Sequence, residues 1–185
     1  ATIQRSMTTH KSAGGARPDR RLGVVMFLDI VGYSARMSKS DKHALERVKD
    51  LSALLHKVVP AHGGTLVKFL GDGTMAEFPT ALAAVTASDQ ILGSIREHNS
   101  RAEKADQYAV RIGLHLGDLM EKDKDLFGDT VNVAARIQPL ADSNGLAMSQ
   151  AVHLSVRNQL PLRGAYLGTP KLKNIPEKIP VFFVP

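Results

Sequence analysis

Apolar residues recur along this chain in two rhythms, and the order in which those rhythms alternate predicts its elements. About Gly23 to Ile30 is an apolar run of the kind a central strand shows when both its faces are buried. After a turn at Gly32-Tyr33-Ser34, the residues Ala44, Leu45, Val48, Leu51, Leu55, Val58 and Val59 keep helical spacing as far as Pro60, and Gly63-Gly64 stops the segment. Thr65 to Leu70 and Thr74 to Phe78 read as the strands of a short hairpin with Gly71-Asp72-Gly73 at its tip. Thr80 then caps a second amphipathic helix carried by Ala81, Ala84, Val85, Ser88, Leu92 and Ile95, and a polar stretch follows from His98 to Gln107.

Tyr108, Val110, Ile112, Leu114 and Leu116 alternate with Ala109, Arg111, Gly113 and His115, the period of a strand with one face in the core. Gly117 to Lys124 reads as a turn, and a further helix is expected from about Asp129 to Leu140. Gly145 to Pro185 supplies short strands and a small helix, punctuated by prolines. The predicted order is βαββαβ. Two split β-α-β units in that order imply an α+β fold of the ferredoxin-like kind, an antiparallel sheet with helices packed on one face.

Composition sharpens the domain boundaries. The chain has 185 residues, is 43% hydrophobic and contains no cysteine. That is enough apolar material for one domain core, and it leaves oxygen and nitrogen as the only metal donors. No apolar run approaches the roughly 18 residues of a membrane span, and the N-terminus lacks the apolar core of a signal peptide. The net charge of +6 is concentrated at one end, because residues 1–21 hold five basic side chains against one acidic. The expected division is therefore a basic, Ser/Thr/Gly-rich linker or arm over 1–21 and a nearly balanced folded domain over 22–185. Nucleic-acid binding by the arm lacks aromatic support, since aromatics make up 5% of the chain and tryptophan is absent.

Two aspartates carry the candidate chemistry. Asp29 and Asp72 each close an apolar run beside a glycine turn, where a strand fixes a carboxylate and the glycine lets backbone approach a ligand. Converging, they could hold magnesium ions around a triphosphate. Asp-Gly and Gly-Asp also mark ordinary turns, so both readings stand on this pattern alone. On the helix from Asp129, Asn132 and Arg136 lie four apart on one face among small and apolar neighbours. The arginine suits an anionic centre where phosphoryl charge accumulates, or equally a surface ion pair. The chain has no Gly-x-x-x-x-Gly-Lys-Ser/Thr motif and no dinucleotide fingerprint. Its histidines show no metal-ligand spacing, and Asp118 and Asp129 serve turns and a helix start.

Four ordered blocks resemble the signatures of class III nucleotide cyclases, and of their bacterial adenylate cyclase members in particular. They are Phe27-Leu28-Asp29-Ile30-Val31-Gly32-Tyr33-Ser34, Lys68-Phe69-Leu70-Gly71-Asp72-Gly73, the Arg111 to Asp118 stretch, and Asp125 to Ile137. The resemblance covers about residues 21 to 185 and implies two divalent metal ions, Mg2+ or Mn2+, on Asp29 and Asp72, with the Ile30 carbonyl as a further ligand. It implies that Lys68 and Asp125 select the purine, that Asn132 orients the ribose, and that Arg136 meets the α-phosphate. Lysine and aspartate are the adenine-type pair: lysine donates to adenine N1 and the carboxylate accepts from the amino group. The backbone from Val31 through Gly32 and Tyr33 to Ser34 is expected to cradle the outer phosphates, and Lys173 is an approximate match to a phosphate-binding lysine near the C-terminus.

The reaction implied is conversion of ATP to 3′,5′-cyclic AMP and pyrophosphate for cyclic-nucleotide signalling. The resemblance further implies a homodimer with shared active sites, the metal aspartates from one subunit and the purine, ribose and arginine groups from the other. A chain beginning at Ala1 with a linker-like lead is expected to be the cytoplasmic catalytic domain of a longer protein. Its upstream regulatory region or membrane anchor would lie outside this chain, which itself is expected to make no membrane contact and to bind no nucleic acid. Guanylate cyclase, or an inactive module that binds nucleotide or only dimerises, are the competing readings.

Overall fold

The computed structural model describes residues 19–37, 42–162 and 165–185, leaving out the side chains of residues 36–37 and 165–167. Most of the basic lead, residues 1–18, therefore lies outside the described residues. The first strand, β1 (Asp19–Ile30), is followed by a short helix, α1 (Tyr33–Met37), and a long one, α2 (Lys42–Ala61). The hairpin β2 (Thr65–Leu70) and β3 (Gly73–Phe78) leads into α3 (Ala81–Arg101), and β4 (Val110–Lys122) completes the βαββαβ core. The sheet order β2-β3-β1-β4, antiparallel throughout, is the ferredoxin-like arrangement expected from the pattern.

Beyond the core come β5 (Asp125–Phe127), α4 (Asp129–Ile137) with a 3-10 turn over Gln138–Leu140, β6 (Gly145–Ser149), α5 (Gln150–Val156), β7 (Ala165–Gly168) and β8 (Val181–Val184). Strand β6 joins the sheet beside β4 in parallel, and β8 and β7 extend it antiparallel.

Alternation along β1 feeds two cores. Val24, Met26, Leu28 and Ile30 pack with Leu51, Leu55 and Val58 of α2, Ile91 and Ile95 of α3, and Val152 and Val156 of α5. Val25 and Phe27 face the other way, against Met75, Leu119, Leu126, Ala134 and Val131. The expectation of helices on one face holds for α2 and α3, while α4 covers the second face. That face explains why the β1 run is apolar on both sides.

Three boundaries differ from the pattern, each for a physical reason. Strand β1 starts at Asp19, ahead of Gly23, because Asp19 to Leu22 pair with Glu121 to Asp118 of β4, and Arg21 bridges Glu77 and Glu121. The stretch Gly117 to Lys122, expected as a turn, is therefore strand. The chain reverses only at Asp123 and Lys124, whose φ values of 53° and 62° make the two-residue hairpin to β5. Pro60 sits inside the last turn of α2, and the helix closes when Gly63 and Gly64 donate back to the Pro60 and Val59 carbonyls.

Helix α4 lies unusually close to β4. A Cβ built on Gly113 would meet the Gln138 backbone at 2.4 Å, and one on Gly117 would meet Thr130 Oγ1 at 2.5 Å. Backbone cannot yield as a flexible side chain does, so alanine at 113 must push the end of α4 off the sheet. Gly113→Ala is expected to destabilise the fold by about 1–3 kcal/mol, the usual cost of overpacking, read as a lowered midpoint in urea denaturation. An unchanged midpoint would mean that α4 is not seated on Gly113.

Candidate active site

The end of β1 brings the two aspartates to one edge of the sheet. Asp29 stands opposite Gly73 in the β1–β3 register, and the Ile30 N–H donates to the Asp72 carbonyl at 3.3 Å. Asp72 is held at the hairpin tip by Gly71, whose φ of 68° a side chain would oppose. Alternation puts Asp29 on the same face as Val25 and Phe27, the face that α4 covers. The donors expected here, two carboxylates and the Ile30 carbonyl, are all oxygen, a chemistry that would suit a hard cation such as Mg2+ or Mn2+.

A third group joins them. Arg111 of β4 is the register partner of Asp29 and forks onto its carboxylate, with Nε–Oδ1 3.2 Å and Nη2–Oδ2 2.9 Å. Arg111 went unassigned in the sequence because it occupies an outward position of an alternating strand. Its signal was there all the same, as the residue that opens the Arg111 to Asp118 block. The segment after β1 is partly committed already. The Val31 N–H donates to the Ala109 carbonyl at 2.8 Å, so it is not free for a phosphate, which leaves Gly32, Tyr33 and Ser34. Val31, expected among the cradle amides, is thus taken up by Ala109 of the neighbouring segment.

The proposed purine pair is in direct contact. Lys68 Nζ donates to both carboxylate oxygens of Asp125, at 2.9 and 2.8 Å, and Asp125 Oδ1 also accepts from the Leu126 N–H. A bulge in β2 between Leu66 and Lys68 and the Asp123-Lys124 hairpin together bring these two residues, 57 apart in sequence, side by side. The Lys68 hydrogen bond, with the Leu126 amide helping against partial burial, holds the Asp125 carboxyl below the usual range.

Helix α4 presents the third group. Thr130, Val133, Ala134 and Ile137 are buried, while Asn132 and Arg136 are exposed one turn apart. They line a cleft of about 230 Å³ together with Lys173, Asn174 and Ile175 of the segment after β7. No hydrogen bond or ion pair links the Asp29–Asp72, Lys68–Asp125 and Asn132–Arg136 groups to one another among the described residues. One chain holds three separate polar clusters.

Other polar groups lie apart from these. His43, Glu46 and Asp106 offer ligand atoms within 4.8 Å of one another on the surface between α2 and the α3–β4 loop. His43 Nδ1 lies 2.7 Å from Asp106 Oδ1, a proximity that sequence spacing did not reveal. These three are not the aspartates at the end of β1. A cavity of about 400 Å³ bounded mainly by apolar residues, Leu92, Leu146, Leu160, Leu162 and Val184 among them, with Asp89 and Arg96 also in its wall, contains none of the three clusters. His115, given no catalytic role in the sequence reading, hydrogen-bonds the buried Ser149 hydroxyl at 2.8 Å.

With this geometry in place, the comparisons decide the family. The model of the adenylate and guanylate cyclase catalytic domain matches residues 21–182. The chain belongs to that family. It is 34% identical over 165 residues to the putative adenylate cyclase 3 of Rhizobium meliloti, covering 88% of this chain and 28% of that protein. An adenylate cyclase of Streptomyces coelicolor is 29% identical over 143 residues, covering 72% of this chain and 33% of its own length. Among solved structures, an adenylate/guanylate cyclase/hydrolase from Silicibacter pomeroyi is 31% identical and superposes with a TM-score of 0.84, covering 91% of this chain and 98% of that one. The chain thus spans about a third or less of the curated relatives named here, and nearly all of the solved domain.

Burial pushes the His115 imidazole down to about 4 from an ordinary 6.5. The unfolded chain therefore binds a proton there between about pH 6.5 and 4 that the fold excludes, and stability falls as pH drops through that window. Urea denaturation across the window should show this loss, and His115→Gln should flatten it. An equal slope in the variant would assign the loss to other groups.

Proposed function

We propose that this domain is an adenylate cyclase, converting ATP to 3′,5′-cyclic AMP and pyrophosphate, with Mg2+ or Mn2+ held by Asp29 and Asp72. The observation that carries the reading is the Lys68–Asp125 contact. It places a donor beside an acceptor, the pattern that complements adenine N1 and its amino group, whereas guanine presents the reverse. An adenine edge replaces each partner's bond to the other with a bond to the base.

Divalent metal at the two aspartates would lower the pKa of the ribose 3′-hydroxyl and neutralise the departing pyrophosphate. The chain's own residues do the rest. Asn132 holds the ribose so that the 3′-oxygen meets the α-phosphate in line. Arg136 stabilises the charge that accumulates on the phosphoryl oxygens, and Lys173, across the same cleft, receives the outer phosphates. Gly32, Tyr33 and Ser34 offer the remaining amides of the turn beside Asp29.

Because the three clusters are separate within one chain, the reading includes a homodimer in which the aspartates of one subunit face the Lys68, Asp125, Asn132 and Arg136 groups of its partner. Phe69 and Leu70, just before the Asp72 turn, and Phe127, just after Asp125, are large, apolar and exposed. Apolar side chains flanking two half-sites are what a self-complementary interface would cover. No described helix is long and apolar enough to cross a membrane, and the reading takes the domain to be cytoplasmic, where ATP is available.

Purified chain incubated with ATP or GTP and Mn2+ should form cyclic AMP in preference to cyclic GMP, with specific activity rising with protein concentration. Asp72→Ala and Arg136→Ala should each lose at least about 100-fold in kcat, the scale of removing a transition-state donor. Lys68→Glu should lower kcat/KM for ATP relative to GTP by about 100-fold or more. Higher kcat/KM with GTP in the unaltered chain would make it a guanylate cyclase. No cyclic nucleotide from either substrate would make it an inactive module.

A further inference from the structure

We propose that Arg111 is the resting counter-ion of Asp29, a positioning residue whose displacement couples metal binding to nucleotide binding. The inference rests on the reading above that Asp29 is a metal ligand. Both oxygens of Asp29 are engaged by the Arg111 fork, at 3.2 and 2.9 Å, and the two side chains are only 23% and 31% exposed. Such a pair is withdrawn from water further than a surface salt bridge, and its planar two-point geometry occupies the carboxylate edge that a metal would use. The Asp72 carboxylate has no hydrogen bond or ion pair among the described residues. Of the two metal carboxylates, one is open and one is masked.

The backbone on which the mask is mounted is fixed. Arg111 pairs with Asp29 on one side and with Gly145 of β6 on the other, and its carbonyl accepts from the Gln138 side-chain amide at 3.3 Å. Only its side chain can give way. A divalent cation reaching Asp29 alone would sit beside a guanidinium of like charge, so it binds weakly. A polyphosphate arriving with the metal gives the guanidinium another anion, and Asp29 is released when substrate is present. Neither ligand then completes the site without the other, and the coupling is reciprocal.

The test reads metal affinity, not turnover. The full chain, free of nucleotide, is titrated with Mn2+ and unbound metal is followed by electron paramagnetic resonance. Arg111→Met should bind Mn2+ roughly tenfold more tightly than the unaltered chain, within the span usual for coupled binding events. Arg111→Lys, which keeps the charge but loses the fork, should fall between them and guards against misfolding of the neutral variant. Unchanged or weaker binding in a folded Arg111→Met protein would overturn the proposal, because removing a guanidinium that occupies both Asp29 oxygens must leave that carboxylate freer for metal. Adding Asp29→Asn to Arg111→Met should erase the gain, and a gain that survives also overturns it. Failure of the reading beneath it looks different: full cyclic AMP formation by Asp29→Asn would remove Asp29 from the metal site, and no cyclic AMP in any variant would remove the cyclase activity itself.

Discussion

A strand buried on both faces cannot slip by one residue, because the slip would exchange the side chains of its two cores. β1 is such a strand: Val24, Met26 and Leu28 belong to the helical core of α2 and α3, and Val25 and Phe27 to the core beneath α4. That double constraint fixes where Asp29 emerges. It also fixes what lies beside Asp29, since β3 brings the Asp72 turn to one side and β4 brings Arg111 to the other. The backbone of Asp29, anchored this way, has little conformational entropy left to lose if a ligand binds there.

The same logic extends to α4. Its apolar residues insert against a strand in which two glycines stand where side chains would block it, so a nine-residue helix can lie almost on the backbone of β4. The helix face left outward carries Asn132 and Arg136. Close packing thus decides which side chains are available for chemistry, and Lys173 reaches them because Leu172 and Ile175 on either side of it pack with Val133 and Ile137.

Much of this was legible in the residues. Local periodicity identified β1 to β4, α2 and α3, and their order implied the ferredoxin-like sheet. Asp29, Asp72, Asn132 and Arg136 were visible as polar exceptions within apolar patterns, and the resemblance drew Lys68, Asp125 and Lys173 into the same set. What escaped was decided by partners distant in sequence. Gly117 to Lys122 is poor strand material by composition, yet β1 on one side and β5 on the other hold it extended. Arg111 looked like any outward residue of an alternating strand until register put it opposite Asp29. The Val31 amide looked available until Ala109 came to lie across from it. Second-face packing by α4 was hidden because periodicity shows that a helix has an apolar side, not which side of a sheet receives it.

Two ion pairs within the candidate site share a property that bears on how it works. Asp29 is satisfied by Arg111 and Asp125 by Lys68, so each charge is balanced within the chain. A charge left half-buried and unpaired would destabilise the fold, whereas a pair that exchanges its partner for a ligand costs the difference between two similar interactions. On the proposed reading, specificity would follow from that exchange. A ligand that reproduces the lost contacts, an adenine edge at Lys68 and Asp125 or a metal with polyphosphate at Asp29 and Arg111, would replace them at small net cost. One that satisfies only one partner leaves the other desolvated and unpaired, and is rejected by the free energy of that orphaned group.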